Sequence, residues 1–174
     1  TAQVLDTRKT TPGLRALEKY AVRAGGGTNK RMGLYDVAMV KDNHVVAAGS
    51  VSAAPAARRR AVPAGRAPAD AATTAQPREA LAAGADFLLL DNMPTPVLAD
   101  TVAAVRAREG TDGVPAKVEL EATGNLTLDR AREVAGTGVD YLSVGALTHS
   151  APILDLALDL LPTLPPRESP GPAR

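Results

Sequence analysis

Short apolar runs alternate along this chain with stretches whose apolar residues recur at helical spacing. Residues 3–5 (QVL) read as a strand that runs into the polar DTRKT. Residues 13–24 read as a helix with Leu14, Leu17, Ala21 and Val22 on one face. Gly25, Gly26 and Gly27 then stop it, because glycine accepts the left-handed backbone of a helix end. A second strand is predicted over 36–40 (DVAMV), followed by KDNH, and a third over 87–90 (FLLL), followed by Asp91 and Asn92. A helix over 96–108 places Val97, Leu98, Thr101, Val102 and Val105 on one side. A fourth strand is predicted over 117–120, ending in EATGN. Thr127 suits the N-cap of a helix through Ala135, with Asp129 in its first turn. A fifth strand over 141–144 ends in GALTHS, and Pro152 suits the first turn of a last helix bearing Leu154, Ala157, Leu158 and Leu161.

Strands alternating with helices imply a parallel sheet with crossover helices, an α/β fold. The strands read as continuously apolar, as expected when both faces are buried. Polar residues follow the strands instead of preceding them, which favours an α/β barrel over the open doubly wound sheet. The Gly-containing turns after the last two strands stand where such barrels commonly hold phosphate.

One stretch breaks the pattern. Residues 53–70 contain eight Ala, four Arg and three Pro, with Val62 the one β-branched residue. Pro55, Pro63 and Pro68 oppose both helix and strand. Two readings stand side by side: a disordered insertion, or a shifted reading frame in GC-rich DNA. The expected organisation is one barrel domain over 1–161 and a disordered Pro-rich tail over 162–174. The chain opens on Thr almost directly into a strand, so an upstream portion is expected to be missing.

Composition narrows the function classes. At 174 residues the chain can bury one real core. Net charge is +1 and aromatics make up 2%, which disfavours nucleic-acid binding by bulk field or stacking. There is no Cys, so thiol chemistry is excluded, and with two histidines alone, His44 and His149, no zinc site is expected. No apolar run is long enough to span a membrane and no signal-peptide layout is present, so a soluble cytoplasmic protein is expected.

Charge is instead concentrated locally. Arg8 and Lys9 follow the first strand, Lys30 and Arg31 follow the glycine run, and Lys41 follows the second strand. In neighbouring strands these five cations converge at one barrel mouth, where their mutual repulsion calls for a bound polyanion. The planar fork of Arg matches a carboxylate or phosphate edge. Asp91 ends the run FLLL and could hold ribose hydroxyls, Mg²⁺ or developing positive charge, or could cap the next helix. Glu119 and Glu121 alternate to one side of their strand, as further mouth carboxylates or as partners for the cations. Thr123, Gly124 and Asn125, with Gly145 and Ala146, form small turns whose backbone N–H groups can approach a phosphate. His149 could donate to the same phosphate or cap the last helix.

The runs DTRKTTPGLRALEKYAVRAGGG, NKRMGLYDVAMVKDNH, LLLDN and GVDYLSVGALTHS resemble quinolinate phosphoribosyltransferase, also called nicotinate-nucleotide pyrophosphorylase (carboxylating), over 2–52 and 78–161. The resemblance implies an incomplete, TIM-like barrel of the type II phosphoribosyltransferases. It also implies transfer from phosphoribosyl pyrophosphate to quinolinate with loss of CO₂, using Mg²⁺, in NAD biosynthesis. An N-terminal domain would precede the barrel, and a homodimer would complete each site. By the same resemblance Arg8, Lys9, Arg31 and Lys41 line the quinolinate and phosphate pocket, with Lys41 and Asp91 at the reacting centre. Asp91 would lie near ribose and metal, and Thr123, Gly124, Asn125 and Gly145 would cradle the 5′-phosphate beside His149.

Three departures from the family pattern stand out. Lys30 replaces a usual His. The Ala/Arg/Pro stretch replaces a Glu-x-Glu strand, with Asp70 near the second Glu but in surroundings that do not read as a strand. The N-terminal domain is absent. They imply weak or no activity for this chain alone. The alternatives are a non-catalytic phosphate-binding barrel remnant and a related transferase for nicotinate.

Overall fold

The computed structural model describes residues 2–37, 39, 43, 47, 68–71, 73, 75–111 and 113–160. In chain order these form β1 (Gln3–Leu5), α1 (Arg15–Ala24), β2 (Pro68–Ala71), α2 (Gln76–Ala82), β3 (Phe87–Asp91), α3 (Thr95–Arg106), β4 (Glu119–Thr123), α4 (Leu128–Ala135), β5 (Tyr141–Ser143) and α5 (Ala146–His149). The strands make one five-stranded sheet in the order β1-β5-β4-β3-β2, and every pairing is parallel. From β2 to β5 the order follows the sequence without reversal, and β5 then lies against β1. A doubly wound sheet reverses its order at a switch point, whereas a barrel closes its last strand onto its first. The described sheet is therefore part of a barrel, open between β1 and β2. On the free edge of β1, Thr28 bridges to Leu5 in parallel.

Alternation along the strands separates two environments. Leu88 and Leu90 of β3, Leu120 and Ala122 of β4 and Leu142 of β5 share one core with Leu81, Leu98, Val102, Val105 and Val134 of α2, α3 and α4. Each fully buried leucine contributes roughly 1.5–3 kcal/mol, so this layer fixes the helices against the sheet. The opposite face carries Leu89 in register with Glu121 and Tyr141, and Asp91 in register with Thr123. The expectation of continuously apolar strands thus describes β3 and not β4 or β5, whose second face is polar and lines the barrel interior.

Several boundaries differ from expectation. β4 begins at Glu119 and includes Ala122 and Thr123, because its register on β3 pairs Phe87 with Glu119 and Asp91 with Thr123. Asp36, Val37 and Met39 are not in a strand; the Asp36 carboxylate accepts from the backbone N–H groups of Met32 and Gly33, which holds a turn there. Pro68–Ala71 is a strand despite its composition: Pro68 is its first residue, and among the described residues β2 pairs with β3 alone, so a missing donor is tolerated. Asp70 therefore does sit in a strand, its backbone in register with Leu89. The helix α2 has no counterpart in the sequence reading. The last predicted helix is absent: α5 ends at His149, and residues 151–160 are exposed and non-helical. A short amphipathic segment needs a packed face to hold a helix, and Ile153, Leu154 and Leu158 have none. The remainder of 53–70 and the tail lie outside the described residues.

At the amino ends of β4 and β5 one polar network ties α3 to the sheet. Arg106 donates to Asp140 (2.7 Å), Glu109 (2.7 Å) and the Val118 carbonyl (2.6 Å). Asp140 Oδ2 also accepts from the Leu120 N–H at 2.9 Å, and Glu109 accepts from the Val118 N–H at 2.7 Å. Burial opposes the Arg106 charge, but its hydrogen bonds to Asp140 and Glu109 outweigh it and raise its pKa. Replacing Asp140 with Ala removes an acceptor for a backbone N–H and a guanidinium together. A loss of about 1–3 kcal/mol is expected in chemical denaturation; a loss below about 0.5 kcal/mol would place Asp140 among ordinary surface residues.

Candidate anion-binding site

The carboxyl ends of the strands surround one cleft of about 550 Å³, within the usual range for small-molecule sites. Its cationic wall comes from two segments. β1 is followed by Thr7, Arg8 and Lys9, and the turn after α1 supplies Lys30 and Arg31. The rest of the lining includes Asp91 at the end of β3 and Asn92 after it, Thr123 at the end of β4 with Gly124 and Asn125 after it, and Gly145, Ala146 and His149 beyond β5. Of the sequence-predicted site residues among the described ones, all but Glu119 and Glu121 line this single cleft. Lys41 lies outside the described residues, as does His44.

The cations are individually restrained. Arg15 donates to the Arg8 carbonyl at 3.0 Å and to Thr10 Oγ1 at 3.0 Å, which pins the chain after β1. The Arg8 Nε is buried without a protein hydrogen-bond partner. Arg31 donates to the Val37 carbonyl at 2.6 Å. Burial and the neighbouring Arg8 charge both lower the Arg31 pKa, against the pull of Asp36 and Glu121. Lys30 pairs with Glu121 at 2.6 Å, and the Glu121 side chain is fully buried. Of the two roles open to Glu121, the ion pair is the one observed. Glu119 accepts from the Tyr141 hydroxyl at 3.1 Å.

The phosphate-sized turns interlock. Asn92 and Asn125 both have positive φ, 53° and 48°, and Gly124 has φ 93°. The Asn125 side chain donates to Asn92 Oδ1 at 3.0 Å, and the Asn92 N–H donates to the Thr123 carbonyl at 2.9 Å. A Cβ on Gly124 would stand 2.4 Å from the Asn92 side chain. Left-handed asparagines are uncommon, and such positions gather at functional sites. Asp91 accepts from Asn92 Nδ2 at 3.1 Å and faces the cleft; α3 begins after Pro94, so Asp91 does not cap it.

His149 ends α5 and so does not cap a following helix. Its ring packs on Gly145, where a Cβ would meet Nε2 at 2.7 Å, and its Nδ1 is 2.6 Å from Ser150 Oγ. Sequence reasoning missed Thr148, which is buried and donates to the Lys9 carbonyl at 2.8 Å. That contact sews the loop after β5 to the loop after β1. Threonine beside a histidine in a short helix gives no sequence signal of such a role.

The described strands form part of an α/β barrel with a cationic cleft and glycine turns at their carboxyl ends. Comparison with known proteins makes this particular. Residues 1–159 match the family described as quinolinate phosphoribosyl transferase, C-terminal domain, and the chain belongs to that family. It is 51% identical over 159 residues to the nicotinate-nucleotide pyrophosphorylase [carboxylating] of Mycobacterium leprae, covering 91% of this chain and 54% of that protein. It is 48% identical to the probable nicotinate-nucleotide pyrophosphorylase [carboxylating] of Bacillus subtilis, covering 91% and 52%. Among solved structures, a NadC deletion mutant superimposes with a TM-score of 0.79 at 41% identity, covering 88% of this chain and 52% of that one. NadC from Streptococcus pyogenes gives 0.76 at 40% identity, covering 86% and 50%. The chain thus spans about half the length of the relatives it matches.

Replacing Gly124 with Ala should displace the Asn92 side chain and break its bond to Asn125. Inorganic phosphate, titrated by NMR, is expected to bind about tenfold more weakly, the equivalent of one anionic hydrogen bond. Unchanged affinity would separate this turn from anion binding.

Proposed function

We propose that this chain supplies the barrel of a quinolinate phosphoribosyltransferase, converting quinolinate and phosphoribosyl pyrophosphate to nicotinate mononucleotide, CO₂ and pyrophosphate in NAD biosynthesis. One observation carries the reading: Arg8, Lys9, Lys30 and Arg31 line one cleft together with Gly124, Asn125 and Gly145. The first group suits two adjacent carboxylates and the second a 5′-phosphate.

On this reading the guanidinium of Arg8 and its cationic neighbours hold the quinolinate carboxylates and turn the ring nitrogen toward the anomeric carbon. Such positioning can supply about 7–11 kcal/mol of a barrier at best. The C1′–oxygen bond to pyrophosphate breaks as the bond from the ring nitrogen to C1′ forms. The Asp91 carboxylate stabilises the positive charge that develops on the sugar. The electron pair of the breaking C2–carboxylate bond stays on C2, stabilised by the adjacent cationic ring nitrogen, as CO₂ leaves, and a proton from solvent then bonds to that pair. No side-chain general base is needed, and Lys41, outside the described residues, is proposed from the family resemblance as a further cation for the substrates.

The donor set also bears on Mg²⁺. Among the described residues no group of three or more His, Cys, Asp or Glu could hold a metal, and Asp91 is the one carboxylate residue lining the cleft. That set fits an ion carried mainly by substrate phosphates with one protein carboxylate. Asp91 would hold Mg²⁺, which supplies neutralising charge to the departing pyrophosphate.

The remaining assignments extend the same proposal. The protein acts as a homodimer in its longer form and works in the cytoplasm; no helix among the described residues is long and apolar enough to cross a membrane. Calorimetry with quinolinate and nicotinate tests the substrate. Quinolinate should bind more tightly, and Arg8→Ala should weaken it about 10- to 100-fold while changing nicotinate less. Equal affinity for the two acids would overturn the assignment.

A further inference from the structure

The Asp6 carboxylate is fully buried just after β1 and meets three donors from two segments. Its Oδ1 accepts from Lys19 Nζ at 2.6 Å and from the Lys30 backbone N–H at 2.9 Å, and its Oδ2 accepts from Asn29 Nδ2 at 2.6 Å. The same Asn29 amide donates to the Lys19 carbonyl at 2.8 Å, and the Asp6 N–H reaches the Thr28 carbonyl at 3.2 Å. Lys19 is itself only 3% exposed. A buried ion pair stabilises a fold little compared with an apolar pair of the same shape. Its position explains more. Asp6 lies two residues before Arg8, and the backbone group it holds belongs to Lys30, next to Arg31. The two cation-bearing segments, which would drive apart by repulsion, are joined through this carboxylate, alongside Arg15, which donates to the Arg8 and Met32 carbonyls, and the backbone bonds of Thr28 to Val4 and Asp6.

The pair also bears on α1. Of the expected inner face, Val22 is buried, whereas Leu14, which precedes the helix, and Leu17 are 46% and 63% exposed. Lys19 is buried where it meets Asp6.

We propose that Asp6, Lys19 and Asn29 form a positioning unit that holds Arg8–Lys9 and Lys30–Arg31 at the spacing of one polyanionic ligand. This rests on the proposed function for the identity of the ligand alone. Two measurements on the full chain test it: hydrogen–deuterium exchange without ligand, and the affinity ratio of quinolinate to inorganic phosphate. In Lys19→Met, exchange should rise together over 7–10 and 28–31 and stay unchanged in α3 and α4. Quinolinate affinity should fall about tenfold more than phosphate affinity. Lys19→Arg should restore both. Asn29→Ala removes one donor at a part-buried position, so it provides a milder variant should Lys19→Met fail to fold, and should shift both readouts the same way.

Exchange rising uniformly across the molecule, or within α1 alone, would overturn the unit and leave Lys19 a merely structural residue. An unchanged affinity ratio with quinolinate bound would do the same. If the unsubstituted protein binds no quinolinate, the substrate assignment falls, and the exchange pattern still decides the positioning unit.

Discussion

Like charges gathered in one mouth repel, and much of the cleft is organised around containing that repulsion. Two unit charges 4 Å apart interact by about 4 kcal/mol at the effective dielectric of a protein surface. Each restraint here answers that force. Lys30 is matched by buried Glu121, Arg31 is tied to the Val37 carbonyl, and Arg15 fixes the Arg8 backbone. Behind them Asp6 joins the two segments that carry the charges. The lowered pKa of Arg31, from burial first and Arg8 second, reflects the same repulsion.

The sheet makes this containment possible by separating its faces. Leu88, Leu90, Leu120 and Ala122 anchor the helices, so the alternate positions are free to be polar. Glu121 can then sit fully buried beneath the mouth, because Lys30 reaches it at 2.6 Å. Buried carboxylates are tolerated only when paired, so the pair fixes Lys30 as much as Lys30 neutralises Glu121. At the rim, Thr148 and the asparagine latch join successive loops, giving backbone N–H groups the rigidity that anion binding requires.

Most of the site was legible in the sequence because its residues immediately follow apolar runs. Asp91 after FLLL and Gly145 after YLSV needed only the rule that barrel chemistry sits at strand carboxyl ends. What was not legible depended on partners distant in sequence. The inward turn of Lys19 is set by Asp6, 13 residues away, and periodicity placed Leu14 and Leu17 inside instead. The extension of β4 through Thr123 follows from its register on β3. Pro68–Ala71 could not be recognised as a strand, because edge pairing, not local propensity, makes it one.

On the proposed function, the two groups of cleft residues divide recognition. The glycine and asparagine turns would offer backbone groups to a tetrahedral phosphate, indifferent to what the rest of the ligand is. The cationic side chains would discriminate one carboxylate from two. Lys30 would contribute position more than net charge, since Glu121 already balances it. Arg8, Lys9 and Arg31 would then carry the excess positive charge, and the buried Nε of Arg8, which has no protein partner, is a donor open to a ligand. A ligand with one carboxylate leaves part of that charge unmatched in a partly buried site, which is costlier than the lost contact alone. Selectivity at these cations would therefore come from what an inadequate ligand leaves behind.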